Sequence, residues 1–290
     1  MLNPNLAIKN LFHVQLANPI VFGDKVKRYL PAIIPPMDLL DTPYIGWELE
    51  AEGWSMQNAK NEFLFNEERT YILITDDGSL KDNGAELITR GPLQKKELYE
   101  SLLEMQYIAD NLVNGFSFSH RCSFHVHLNA QELTPIQLYA FITAYIVVEP
   151  LLFKLCEPHR QGNSYCIPLN ILNITKKSLE QQEYAQTKYW ALSLNRLMDL
   201  GTIEIRSHHG TSDIVKLQKW IKLLQHIYKF AEETKSLAEL TQQLTKVTTN
   251  EEKNTLIQTI LGTNEYNDLL SRLDLETNDS LFNSIFFLEN

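Results

Sequence analysis

Cysteine is scarce in this sequence. Only Cys122, Cys156 and Cys166 occur among 290 residues, an odd number with no C-x-x-C spacing. That excludes a disulfide framework and makes a reducing, cytoplasmic setting the expectation. Long apolar runs are also missing. The longest, Leu138 to Val148, falls well short of the ~20 residues that a bilayer span requires, and Glu149-Pro150 reads as its end. The opening Met1-Leu2-Asn3-Pro4-Asn5 has no basic stretch followed by an apolar one, so no signal peptide and no membrane role are expected. Glycine and proline stand at 11 each, against 44% hydrophobic residues. Collagen-like and disordered readings are thereby excluded, and a sizeable core is affordable.

Positive charge is the other deficit. With 26 Lys+Arg against 36 Asp+Glu the net charge is −10, which suits neither counterion displacement on a phosphate backbone nor a nucleic-acid partner. Eleven acids and four bases fall within residues 231–290, giving that stretch −7 of the total. The bulk acidity therefore lies near the C-terminus, and functional acids elsewhere must be argued from position. Known nucleotide and nucleophile signatures are absent as well: there is no G-x-x-x-x-G-K-[ST] loop, no G-x-G-x-x-G and no G-x-S-x-G elbow.

What is present is strand periodicity interleaved with helices, an α+β pattern. Residues 1–40 form an N-terminal segment closing on a Pro-rich connection (Pro31, Pro35, Pro36); 41–230 read as the main domain, and 231–290 as an acidic helical segment. Thr134-Pro135-Ile136-Gln137 reads as a capping box opening a buried helix to about Val148. Thr211-Ser212-Asp213 caps a second helix with an apolar stripe at Ile214, Leu217, Ile221, Leu224 and Tyr228.

The strands carry the chemistry, because alternate side chains share a face. Glu48, Glu50 and Glu52 fall opposite Trp47, Leu49 and Ala51. Arg121, Ser123, His125, His127 and Asn129 fall opposite Cys122, Phe124, Val126 and Leu128, which makes Cys122 an inert core thiol. Thr202, Glu204 and Arg206 share a third face, and Glu86 is the lone acid of Gly84–Thr89. Any one strand would pass as half-buried with a wet side. Together, however, the polar faces gather carboxylates, imidazoles and arginines without a single lysine, which is what divalent cations require. Glu48 and Glu50, two apart and without a local cation, would repel unless Mg²⁺ or Mn²⁺ lay between them.

Seven segments in order, GWELEAEG (46–53), DDGSL (76–80), GAELITRGPL (84–93), RCSFHVHLNA (121–130), EPHRQGNSYC (157–166), KYWALSLNRL (188–197) and GTIEIRSHHGT (201–211), resemble the amidoligase family often encoded by bacteriophages. That family is a branch of the carboxylate–amine ligases related to glutamine synthetase and glutamate–cysteine ligase. The resemblance covers roughly 45–230.

It implies a curved antiparallel sheet with helices on its outer face, and an ATP-dependent ligase with Mg²⁺ (or Mn²⁺) on the inner face. By matching motif, Glu48, Glu50, Glu86, His125 and Glu204 are the expected metal ligands. His127, Arg206 and Asn129 are the expected nucleotide contacts, and Arg206, Glu50 and Arg121 the catalytic set. Asp77 is the nearest candidate for a further acid of the glutamine synthetase type, while Glu52 has no role and is read as facing solvent. Substrates would be a small-molecule or peptide carboxylate and an amine. A homo-oligomer and a glutamine amidotransferase partner would fit the type. Two other readings share the residues: a metal-dependent hydrolase using His125, His127 and a glutamate, and a non-catalytic ligase-fold protein recruiting a partner through 231–290.

Overall fold

The computed structural model describes residues 39–53, 71–81, 84–111, 115–169 and 188–272; the segment containing Pro31, Pro35 and Pro36 lies outside them. The architecture is α+β. Six strands, β1 (Ile45–Ala51), β2 (Ile72–Asp76), β3 (Ala85–Thr89), β4 (Ser123–Asn129), β5 (Leu192–Ser193) and β6 (Thr202–His209), form one open sheet in the order β2-β3-β1-β4-β6-β5. Every neighbouring pair is antiparallel.

The helices are α1 (Lys95–Asn111), α2 (Pro135–Lys154), α3 (Ile214–Glu233), α4 (Leu237–Thr245), α5 (Asn250–Leu261) and α6 (Thr263–Arg272). They gather on the face that alternation makes apolar. Trp47 donates its indole N–H to Ser101 Oγ of α1 at 2.8 Å and stacks on Phe124. His208 of β6 tilts against Trp220 of α3, and Phe141 of α2 meets Tyr228 of α3 edge-on. Leu49, Phe124, Val126, Ile203 and Ile205 are fully buried there, each contributing about 1.5–3 kcal/mol of burial.

Both expected caps form. Thr134 Oγ1 accepts from Gln137 N while Gln137 Oε1 accepts from Thr134 N. Asp213 accepts from Val215 N and Lys216 N, and all five stripe residues of α3 are buried. One expectation fails: Glu149-Pro150 does not end α2, which continues to Lys154. Pro150 removes a single backbone donor, while Leu151, Leu152 and Phe153 beyond it are buried and hold the last turn against the core. Glu149, fully buried, accepts from Leu169 N at 2.9 Å. With that extension α2 reaches the length and apolarity of a membrane span, yet it is mostly buried among α3 and the sheet.

The helices after residue 236 also bury an apolar side, through Leu240, Leu256, Ile257, Ile260 and Leu261, while Glu251 and Glu252 stay exposed. The three cysteines are free and buried. Burial pushes the Cys122 thiol up to about 11, in keeping with an inert core residue.

Candidate metal and phosphate site

Strand register places the second face's polar residues in one strip. Glu48 stands opposite His125, Glu50 opposite Glu86, His127 opposite Glu204, and Thr75 opposite Glu86. The strip therefore runs β6, β4, β1, β3 and ends at Asp77 in the turn after β2. That turn forms as its Asp-Asp-Gly-Ser sequence predicts, with Ser79 N donating to Asp77 Oδ1 at 2.7 Å. Facing carboxylates such as Glu50 and Glu86 destabilise a sheet unless something positive separates them.

Three ligand groups follow from this geometry, each with donor atoms within 4.8 Å of one another: Glu48–His127–Glu204, Glu48–Glu86–His125 and Glu50–Asp77–Glu86. Glu48 belongs to two of them, and Glu86 to two. All five expected metal ligands are thus brought together. His127, expected nearer the nucleotide, falls in the first of these groups, and Asp77 in the third.

The electrostatics set these carboxylates against one another and against burial. Burial, reinforced by the Glu48, Glu50 and Asp77 carboxylates, pushes Glu86 up to about 9. Burial also works against charge on Glu48, but His127 and His125 overrule it and hold that carboxyl well below its usual range. Glu204 is likewise lowered, against burial, by Arg206, His127 and His125. His127 is raised, against burial, by Glu48 and Glu204. Among the described residues five carboxylates share the strip with one guanidinium, Arg206, which pairs closely with Glu204.

Two imidazole details point the same way. His127 Nδ1 lies 3.2 Å from Thr202 Oγ1, and its buried Nε2 faces Glu48 Oε1 at 3.0 Å. Ser123 is the second detail. Its Oγ lies very close to Glu50 Oε2 and 2.7 Å from His125 Nε2, and its N–H donates to the same Glu50 oxygen at 2.8 Å. His125 Nδ1 lies 3.2 Å from Glu48 Oε2 and 3.6 Å from Glu204 Oε1, a spacing suited to ligands of one ion. Ser123, His125 and Glu48 also follow the order of nucleophile, base and orienting acid. The serine is buried and its proton points to Glu50, so it serves as a tie between ligands. A raised carboxylate and a clustered O/N donor set fit Mg²⁺ or Mn²⁺.

The remaining expected residues sit apart from the ligand groups. Arg121 precedes β4 in a turn, is exposed, and donates to Ser79 O at 2.7 Å, so it braces the Asp77 turn. Asn129, at the other end of β4, is buried and accepts from Gln131 N at 3.2 Å. Glu52 does not face solvent: it is 4% exposed, and its carboxylate accepts from Lys81 N at 2.8 Å. A strand continuing one residue past its expected polar face would leave Glu52 wet, but the turn after β2 folds over it. Sequence reasoning gave Ser123 no role, although its place two residues before His125 put it on the right face.

Residues 85–188 match the family model described as "Putative amidoligase enzyme". The match takes in Glu86, His125 and His127, and leaves Glu48, Glu50, Glu204 and Arg206 to the geometry just described. No curated protein matches the chain.

Proposed function

We propose that this chain, which carries an amidoligase sequence signature over residues 85–188, joins a carboxylate to an amine at the expense of ATP. The observation that carries the reading is the run of three ligand groups sharing Glu48 and Glu86, with Arg206 beside the first.

A carboxylate is a poor acyl donor. Its oxygen attacks the γ-phosphorus of ATP, the bond to ADP breaks, and an acyl phosphate results. The amine nitrogen then attacks the acyl carbon, phosphate departs with the bonding pair, and a nearby carboxylate takes the amine proton. Divalent ions, when bound, supply Lewis-acid neutralisation of the phosphate oxygens. Glu48, Glu50, Asp77, Glu86, His125, His127 and Glu204 would hold them. Arg206 turns its guanidinium from Glu204 towards the transferred phosphoryl group. Ser123 keeps Glu50 and His125 in register, and Asn129 would contact the nucleotide. Small-molecule or peptide carboxylates and amines are the substrates, with ammonia from a glutamine amidotransferase as one amine source. Residues 41–230 form the ligase unit.

Incubation with Mg²⁺, ATP and a panel of amino acids, amines and peptides should yield ADP, and Glu50→Ala or Glu204→Ala should abolish it. An ¹⁸O-labelled carboxylate should pass its label to inorganic phosphate. Turnover of a verified substrate without nucleotide would sink the reading. Stoichiometric zinc with no ATP binding would select a hydrolase on His125, His127 and Glu48 instead.

A further inference from the structure

The ladder between β4 and β6 breaks at the site. Val126 pairs with Ile205 and Phe124 with His208, so His125 alone stands opposite both Arg206 and Ser207. This is a β-bulge, and a bulge reverses the facing of the residues beyond it. Arg206 keeps to the polar face with Glu204. Ser207 Oγ meets Tyr145 of α2 at 3.3 Å, and His208 packs on Phe124 and Trp220. Without the extra residue, His208 would be thrown to the polar face.

The two bulge residues share one partner. Arg160, in a short 3₁₀ turn (Pro158–Arg160) after α2, is 1% exposed. Its Nη2 donates to Arg206 O at 2.5 Å and its Nε to Ser207 O at 3.2 Å. Among the described residues no carboxylate pairs with it. A permanently charged guanidinium is buried here on two backbone carbonyls, a use to which its planar fork is suited and an ammonium is not. Arg206 N is held from the other side by Ala191 O at 2.7 Å.

We infer that Arg160 is a positioning residue: by forking the carbonyls of Arg206 and Ser207 it fixes the bulge and so aims the Arg206 side chain at Glu204 and the phosphate side of the site. The aiming is a property of the fold and stands without the ligase reading. Its kinetic consequence rests on that reading.

The test uses the full chain in three variants, Arg160→Lys, Arg160→Gln and Arg206→Lys, followed by arginine Nε–Hε NMR correlation spectra. Wild-type protein should show slowly exchanging guanidinium signals that include those of Arg160 and Arg206. The one lost in Arg206→Lys belongs to Arg206. Arg160→Lys and Arg160→Gln should each remove the Arg160 signal and also shift or broaden that of Arg206, while thermal unfolding stays cooperative. An Arg206 signal unmoved in both Arg160 variants overturns the inference. Loss of the folded state in both Arg160 variants, with Arg206→Lys folded, also overturns it, because Arg160 would then be a staple of the core. In the ADP-release assay Arg160→Lys should lower kcat by ~10–100-fold with KM for ATP changed little, the scale of a group acting through another. Spectra that respond as expected in a protein with no ATP-dependent activity would keep the aiming and discard the ligase reading.

Discussion

Both faces of the sheet carry buried side chains, and they are buried for different reasons. On one, Trp47, Leu49, Phe124, Val126 and Ile205 meet the helices, and every contact they require is supplied by the chain itself. On the other, Glu50, His125, His127 and Glu204 are at most 7% exposed, yet five carboxylates share one guanidinium. Burial on the first face stabilises the fold. On the second, His125, His127 and Arg206 offset the burial of Glu48 and Glu204, while Glu86 is left among carboxylates that raise it, a strain that a bound cation would relieve.

Truncation should separate the faces most sharply. Phe124→Ala should cost about 3–5 kcal/mol of stability through lost burial and the cavity left behind, read by urea unfolding. Glu86→Gln should instead leave the metal-free protein at least as stable as wild type, while the gain in Tm on adding Mn²⁺ shrinks. Glu48→Gln should reduce ADP formation more than about a hundredfold, beyond what loss of a supporting group around a ligand causes, because Glu48 serves two ligand groups.

pH should move the faces in opposite senses. His208, on the helix side, is pushed down to about 3 by burial and by neighbouring His209, which is itself pushed down to about 4. The unfolded chain therefore binds protons that the folded one refuses. Stability is full above pH 6.5 and falls by about 1.4 kcal/mol per unit per histidine as pH drops towards those values. Glu86, raised to about 9, does the reverse. The folded, metal-free protein holds a proton that the unfolded chain releases, so stability falls as pH rises from 4.5 to about 9. Unfolding curves in EDTA should show both slopes, with Glu86→Gln erasing only the second. The smallest effect belongs to the edge of the apolar side: Thr134→Ala should cost about 1 kcal/mol by removing the cap of α2.

The same division governs what was legible in the sequence. Alternation identified β1, β4 and β6 and, up to the bulge, their two faces, since a period of two is local to a strand. Capping chemistry found the starts of α2 and α3 for a similarly local reason. The end of α2 was not legible, because tertiary packing beyond Pro150 overrides the local signal. In the site, Glu48, Glu50, Glu86, His125 and Glu204 could be chosen by face and motif, but their grouping depends on register between strands far apart in sequence. Arg160 and the bulge it clamps left no local mark, as a bulge is a relation between two strands. Glu52 looked wet because its neighbours alternate, and only the turn carrying Lys81 covers it.

The central claim is that the polar face exists to bind divalent cations. Titration of Mn²⁺ into the full chain at neutral pH, followed by electron paramagnetic resonance, tests it most directly. The account predicts more than one bound ion per chain, with Glu48→Gln losing most of the binding while its fold is retained. Absence of Mn²⁺ binding to wild-type protein, or equal binding by Glu48→Gln, would contradict it.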